Sequence, residues 1–199
     1  MAKRILVQFA HPAYQRSVVN QHLVRVAVDL DGVTFNDLYE LYPDFLIDVE
    51  REQQLMEEHD IIIFQHPLYW YSTPAILKEW QDLVLTHRWA FGTGGEALKG
   101  KFALQTVTTG GGEDTYSSSG SNRYTIRQLL APFEQTCVLC NMNYLAPFVV
   151  HGSHEIISEA DMLDCSENYL RLIEALRDDR LDLSRAASAP NLDIELIRS

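Results

Sequence analysis

Short apolar runs alternate along the chain with longer segments in which apolar residues recur at every third or fourth position. The short runs are typical of buried strands, and the longer segments are typical of helices that bury one face. We predict strands at residues 4–9, 33–37, 61–65, 102–108 and 143–150, and helices at residues 18–29, 48–59, 74–85, 124–140 and 158–180. This alternation predicts an α/β fold, with a five-stranded parallel sheet and helices on both of its faces.

Most of the chain is predicted to form one domain. Its 199 residues are 46% hydrophobic and show neither an internal repeat nor a low-complexity linker, so they can build one full core. We place this single domain at residues 1–183, followed by a C-terminal tail or arm at residues 184–199. The apolar side chains of Leu192, Ile194, Leu196 and Ile197 favour an arm laid on a neighbouring surface.

The composition narrows the range of partners. With 28 acidic and 16 basic residues the net charge is -12, which opposes binding to nucleic acid and to anionic lipid. The apolar runs are far shorter than the roughly 18 to 20 residues that cross a bilayer, and the first residues lack a signal-peptide cleavage pattern. We therefore expect a cytoplasmic protein that reaches a membrane only through a protein partner.

The three cysteines give little support for a disulfide framework or a metal site. Cys137 and Cys140 have C-x-x-C spacing, but they lie in an apolar, helix-like segment without a second cysteine pair, and Cys165 is the third. We interpret Cys137 and Cys140 as buried thiols rather than redox groups, and we expect no bound metal.

In a doubly wound sheet the ligand binds beyond the carboxyl ends of the strands, which directs attention to three loops. The first, FAHPAYQRSVVN, has neither a P-loop nor a G-x-G-x-x-G pattern. Within it Ser17 is a good N-cap, so the free amides of the helix that begins there could bind a phosphate, with His11, Arg16, Ser17 and Asn20 as further donors. The alternative is that Ser17 only caps the helix and His11 only forms a turn.

The second loop, in QHPLYWYSTPAILKEW at residues 65–80, carries Tyr69, Trp70 and Tyr71 between a strand and a helix. A planar ligand would give these rings a packing partner, and the backbone amides of residues 67–71 could bond its polar edge. A dimer interface is the alternative, and the two are compatible. The third loop, at residues 106–124, has three consecutive glycines that let a ligand approach the backbone, followed by the weakly acidic hydroxyl of Tyr116. Simple flexibility would also explain those glycines.

Taken together, AHP near the start, QHPLYWYSTPAILKEW and TTGGGE resemble the NAD(P)H:quinone oxidoreductase family of flavodoxin-like flavoproteins, over nearly all of the chain up to about residue 180. The segments LYELYPDFLIDVEREQ (38–53) and SNRYTIRQLLAPFEQT (121–136) are similar to the ancillary subunits of glutathione-regulated potassium-efflux systems. The resemblance implies a flavodoxin-like fold, FMN as cofactor with FAD as the alternative, NAD(P)H as co-substrate and a quinone acceptor. It also implies a cytoplasmic homodimer that docks on a membrane potassium/proton antiporter, peripheral at the inner membrane.

The resemblance also implies which residues form the site. Residues matching the phosphate-binding loop are His11, Ser17, Val18, Val19 and Asn20; those matching the flavin-ring contacts are Pro67, Leu68, Tyr69, Trp70, Thr108, Thr109, Gly110 and Gly111. Tyr116 matches a catalytic tyrosine, but Asn122 occupies the position of a histidine that follows it in the larger quinone reductases. Solvent or Tyr116 would then have to supply the proton.

Two rival functions remain at this point. The chain could be a regulatory subunit that binds flavin with little or no turnover, or a small electron carrier. The long loop at residues 109–123 suggests a closed substrate pocket, which speaks against the electron carrier.

Overall fold

The computed structural model describes residues 2–153 and 158–198. The strands are β1 (Ile5–Phe9), β2 (Val33–Asp37), β3 (Ile61–Pro67), β4 (Phe102–Thr108), β5 (Asn143–Tyr144) and β6 (Phe148–Val150). They pair in parallel in the order β2-β1-β3-β4-β5, and β6 pairs with β4 further along the same edge. The predicted α/β fold with a parallel sheet is confirmed.

Helices cover both faces of this sheet. The helices are α1 (Val18–Ala27), α2 (Leu38–Leu41), α3 (Val49–Glu58), α4 (Ala75–Val84), α5 (Ile126–Leu129), α6 (Ala131–Leu139), α7 (Glu159–Arg177) and α8 (Leu183–Ser188). Helices α1 and α7 pack on one face, whereas α3, α4 and α6 pack on the other. Successive strand residues alternate between the two faces, so Ile5 and Val7 join the first core and Leu6 joins the second.

The predicted strand 143–150 is wrong in one respect, because it forms as β5 and β6 with a break at residues 145–147. Pro147 has no N–H to donate to the ladder. The Ala146 N–H leaves the sheet and donates to the Ala186 carbonyl at 2.9 Å. The Ala186 carbonyl, in the C-terminal part of the chain, thus accepts from the Ala146 N–H at the break in the sheet edge.

The predicted helix 124–140 is likewise wrong as a single element. Leu130 interrupts it with φ -87° and ψ 1°, and Pro132 stands in the first turn of the second piece, α6. Proline is tolerated in a first turn but not inside a helix, which explains why α5 and α6 are separate. The other four predicted helices agree with α1, α3, α4 and α7 within three residues at each end, and the short helices α2 and α8 were not predicted.

The C-terminal segment, residues 184–198, packs against the face that carries α1 and α7. Leu192 and Leu196 are buried in that core, and the Leu192 N–H donates to the Pro147 carbonyl at 2.7 Å. Cys137 and Cys140 are free and buried in the opposite core, as predicted, and burial raises the pKa of Cys137 to about 12. Among the described residues, no helix is both long and apolar enough to cross a bilayer.

Candidate functional site

Three loops meet beyond the carboxyl ends of β1, β3 and β4, as the topology of the sheet requires. They enclose a cavity of about 430 Å³. Its lining comprises His11, Ala13, Arg16, Ser17, Val18, Pro67, Leu68, Tyr69, Thr108, Gly110 and Ser153. A second cavity of about 390 Å³ adjoins the first, and it is lined by Leu68, Trp70, Tyr71, Gly110, Gly111, Thr115, Tyr116, Ser121 and Asn122. Leu68 and Gly110 line both cavities, so the two cavities lie next to each other, and we call them together the cleft.

One end of the cleft is the N-terminus of α1. Ser17 caps this helix, and its Oγ accepts from the Asn20 backbone N–H at 3.4 Å and from Asn20 Nδ2 at 3.0 Å. The Asn20 and Gln21 amides bond to Ser17, which leaves the Val18 and Val19 amides of the first turn without a partner in the helix. These two amides and the helix dipole favour an anion here. The Arg16 side chain adds a positive charge at the cavity wall.

A buried chain of hydrogen bonds holds the first and third loops together. Asn20 Nδ2 donates to Thr108 Oγ1 at 3.2 Å, and Gln65 Nε2 donates to Asn20 Oδ1 at 3.4 Å. The Tyr169 hydroxyl of α7 completes the chain by donating to Gln65 Oε1 at 3.0 Å. Asn20 therefore fixes the spacing between the two loops from behind the cavity wall.

His11 connects the first loop to the second. Its Nδ1 accepts from the Ala13 N–H at 3.1 Å, and its ring lies edge-on to Tyr69, with centroids 6.0 Å apart. Burial lowers the pKa of His11. Its Nδ1 can accept the hydrogen bond from the Ala13 N–H only when it carries no proton, which also favours the neutral ring. The proton of the neutral imidazole is then on Nε2, where it can serve as a hydrogen-bond donor.

The second loop extends β3 and then turns sharply. The Leu68 N–H donates to the Thr108 carbonyl at 2.8 Å, which keeps Pro67 and Leu68 beside the third loop. Trp70 and Tyr71 have φ angles of 50° and 63°, in the left-handed region that large residues seldom adopt, and the Ser72 N–H closes the turn on the Tyr69 carbonyl. The turn directs Trp70 outward, with 93% of its surface exposed.

The third loop supplies the tyrosine and asparagine singled out in the sequence. Burial raises the pKa of Tyr116, so its hydroxyl keeps its proton at neutral pH. Asn122 Oδ1 accepts from the Tyr71 hydroxyl at 3.1 Å, and its Nδ2 donates to Thr115 Oγ1 at 3.2 Å. Asn122 thus ties the second loop to the third.

Not every predicted site residue reaches the cavity surface. The first cavity is lined by His11, Ser17, Val18, Pro67, Leu68, Tyr69, Thr108 and Gly110, and the second by Trp70, Gly111, Tyr116 and Asn122 as well as the shared Leu68 and Gly110. Val19, Asn20 and Thr109 are buried behind this lining. They can fix the positions of the lining residues through packing and hydrogen bonds.

Sequence reasoning missed two residues that follow β6. Ser153 lines the first cavity, and His151 lies beside Tyr116 with ring centroids 5.6 Å apart. Both follow the last strand, so the rule that ligands bind beyond the strand ends could have found them. In the described part of the chain, His, Cys, Asp and Glu side chains do not gather into a group that could hold a metal ion.

The sequence profile of the flavodoxin-like fold family matches residues 3–173. The chain belongs to the flavodoxin-like family. The glutathione-regulated potassium-efflux system ancillary protein KefG of Serratia proteamaculans is 51% identical over 148 residues, which are 74% of this chain and 81% of that protein.

Two solved flavodoxin-like structures show the same architecture. The general stress protein 14 of Treponema denticola, in complex with FMN, is 36% identical, with a TM-score of 0.79 over 88% of this chain and 98% of that one. An NADPH-quinone reductase from P. pentosaceus is 31% identical, with a TM-score of 0.77 over 85% of this chain and 96% of that one. The sequence resemblance to the flavodoxin-like quinone reductases and to the potassium-efflux ancillary subunits is therefore confirmed.

Proposed function

We propose that this protein binds FMN and uses it to carry electrons from NAD(P)H to a quinone. The observation that carries the proposal is the cleft at the strand ends, whose first cavity is charged and amide-rich and whose second cavity is lined by aromatic side chains. An elongated ligand with an anionic end and a flat ring fits this division. The FMN complex of general stress protein 14 and the NADPH-quinone reductase supply related examples with the same fold.

The residues of the first cavity fit the phosphate end of FMN. The free amides at the start of α1 and the Arg16 guanidinium would bind the phosphate, while the Ser17 hydroxyl holds the helix end in place. The ring would lie against residues 67–70 and 108–111. FAD, the alternative cofactor, would be distinguished by the mass of the flavin released on denaturation.

Bound FMN would supply the redox chemistry, because it can accept a hydride from a nicotinamide and pass two electrons to a quinone. The chain supplies orientation, charge stabilisation and protons. Backbone amides at Gly110 and Gly111 can stabilise negative charge at the ring, and Tyr69, Trp70 and Tyr71 can stack a flat substrate. Tyr116 retains a proton that it can donate to the acceptor, whereas Asn122 cannot titrate and holds the loop.

The Tyr116 assignment has a direct test. We expect Tyr116→Phe to lower the turnover of quinone at saturating NADPH about tenfold or more, since a positioned acid contributes roughly 10²- to 10⁴-fold and water replaces part of that. The control is Tyr124→Phe, an exposed tyrosine outside both cavities. Equal turnover in the two variants would remove Tyr116 from the mechanism.

We also propose that the protein works as a homodimer whose second copy completes the cleft. Trp70 and Tyr71 lie exposed at the rim of the second cavity, and a partner surface would remove these rings from water. Light scattering should give twice the chain mass for the protein and the single-chain mass for Trp70→Asp. A dimer that survives this substitution with full turnover would exclude Trp70 from the interface.

The similarity to KefG supports a second role, in which the cytoplasmic protein docks on a membrane potassium/proton antiporter and activates it. The protein would then be peripheral at the inner membrane through its partner. Co-purification with the antiporters of the same cell tests this role, and failure with each of them would leave the enzyme alone. If docking occurs but no quinone is reduced, the alternative of a purely regulatory flavin-binding subunit is correct.

A further inference from the structure

The residues after β6 brace the third loop. The Thr109 N–H donates to the Val150 carbonyl at 2.9 Å, and the Ser153 N–H donates to the Thr109 carbonyl at 2.8 Å. The Gly152 N–H donates to the Gly111 carbonyl at 2.9 Å. Residues 150–153 therefore position the glycine backbone, in which Gly110 lines both cavities and Gly111 lines the second.

The hydrogen bonds of Thr109 favour one tautomer of His151. Thr109 Oγ1 lies 2.8 Å from the Gly111 carbonyl oxygen and 3.2 Å from His151 Nδ1. The carbonyl can only accept and is the nearer of the two partners, so we assign the single hydroxyl proton to the bond with Gly111. With that assignment His151 donates from Nδ1, and its neutral ring carries the proton there rather than on Nε2.

The same imidazole packs beside Tyr116 at an interplanar angle of 39°. Burial lowers the pKa of His151, which Glu113 partly opposes, so the ring is neutral near pH 7. Tyr116 is faced by the Thr109 hydroxyl and by Tyr71. The His151 side chain thus contacts both the Thr109 hydroxyl, which is bonded to the glycine loop, and the Tyr116 ring, which lines the second cavity.

We propose that His151 is a positioning residue of the flavin site. Its Nδ1–H fixes the Thr109 hydroxyl, the hydroxyl holds the Gly111 carbonyl, and the glycine loop is thereby set for the ligand. The effect on FMN rests on the proposed function, whereas the hydrogen bond itself does not.

Matched substitutions separate the hydrogen bond from the bulk of the ring. Asparagine can place an amide N–H where His151 has Nδ1–H, whereas leucine cannot. We expect His151→Leu to weaken FMN binding about tenfold in a fluorescence titration, which corresponds to about 1.4 kcal/mol, and His151→Asn to restore most of the affinity. Thr109→Val should weaken FMN binding as much as His151→Leu does, whereas Thr109→Ser, which keeps the hydroxyl, should bind FMN normally. The double variant His151→Leu/Thr109→Val should bind FMN no more weakly than either single variant, because both changes break the same hydrogen bond. If His151→Asn binds as weakly as His151→Leu while His151→Phe binds normally, ring packing alone is at work and the proposal is wrong.

A measurement on the FMN-free chain decides the hydrogen bond independently. Nitrogen-15 NMR of the histidine rings, with the His151 signal assigned by its loss in His151→Asn, should show Nδ1–H in the wild-type chain at pH 7.5. In Thr109→Val, which lacks the hydroxyl, the proton should lie on Nε2 instead. An Nε2–H form in the wild-type chain would overturn the proposal whether or not FMN binds. A wild-type chain with Nδ1–H that binds no FMN would instead refute the proposed function and limit His151 to a structural role, contradicting its role in the flavin site.

Discussion

At the scale of single residues, Ser17 serves both the fold and the proposed ligand site. Its hydroxyl caps α1 and accepts from the backbone and side chain of Asn20. The same turn presents the free amides that would bind the FMN phosphate. Both roles could be predicted from the sequence, because an N-cap serine after a strand and before a helical pattern marks this geometry.

We expect Ser17→Ala to lower the free energy of unfolding by about 1 kcal/mol, because the helix loses its cap, and to weaken FMN binding several-fold. Ser158→Ala is the control, since Ser158 caps α7 in the same way on a helix whose N-terminus does not line either cavity. Chemical denaturation and FMN titration measure the two quantities. Equal FMN affinity in the two variants would show that Ser17 acts only as a cap.

His66 is the second informative residue. It is fully buried directly before Pro67, its Nδ1 donates to the Pro67 carbonyl at 3.0 Å, and burial lowers its pKa to about 4. As the pH falls, His66 becomes protonated near pH 6.5 in the unfolded chain and only at a lower pH in the folded chain. Stability from this group is therefore complete above pH 6.5 and is lost as the pH falls toward 4.

The predicted loss between pH 6.5 and pH 4 is up to about 3 kcal/mol, since each pKa unit corresponds to about 1.4 kcal/mol. In His66→Asn, the amide can still donate to the Pro67 carbonyl but does not titrate. Its unfolding free energy should start lower and change less with pH than that of the wild-type protein. Parallel pH profiles for His66→Asn and the wild-type protein would contradict this account.

At the scale of elements, Glu52 of α3 joins the helices to the sheet. This carboxylate is fully buried and accepts from Gln8 Nε2 at 2.6 Å, the Tyr42 hydroxyl at 2.8 Å and Trp80 Nε1 at 2.8 Å, and it is paired with Arg51. Gln8 lies in β1, Trp80 in α4 and Arg51 in α3 itself, and Tyr42 directly follows α2. The carboxylate thereby fixes how α3 and α4 sit on the strands that lead into the cleft.

We expect Glu52→Gln to lower the unfolding free energy by about 3 kcal/mol or more, because the new amide group would face donors instead of accepting from them. Glu50→Gln, on the exposed side of the same helix, should change stability by less than about 0.5 kcal/mol. Urea denaturation measures both. A loss at Glu52 as small as that at Glu50 would mean that the donors find other partners.

The elements were predictable where periodicity was clear and unpredictable where it was not. The strands that lead into α1 and α4 are apolar runs bounded by polar residues. Strand β1 lies within one residue of its predicted limits, and β3 begins where predicted but continues two residues further, to Pro67. By contrast, NYLAPFVV is apolar on both sides of Pro147, so the pattern alone could not reveal that the Ala146 amide leaves the sheet for Ala186. Tertiary hydrogen bonding decided that break, as Leu130 and Pro132 decided the break between α5 and α6.

At the scale of the whole molecule, the parallel sheet brings together loops that are far apart in the chain. The sequence could identify three of them because each follows a recognised strand. It could not pair His151 with Thr109, which are 42 positions apart, since β6 is short and the contact exists only after β6 has paired with β4. For the same reason Asn20 could be selected as polar but not as a buried link between two loops.

The central claim is that this cleft binds FMN for electron transfer from NAD(P)H to a quinone. The most direct test is the visible absorbance spectrum of the purified protein after addition of FMN and removal of the excess, then under anaerobic addition of NADPH, then of a quinone. We predict that a flavin band stays with the protein, bleaches with NADPH and returns with the quinone. A protein that retains no flavin, or whose flavin band NADPH and NADH leave unchanged, would contradict the claim.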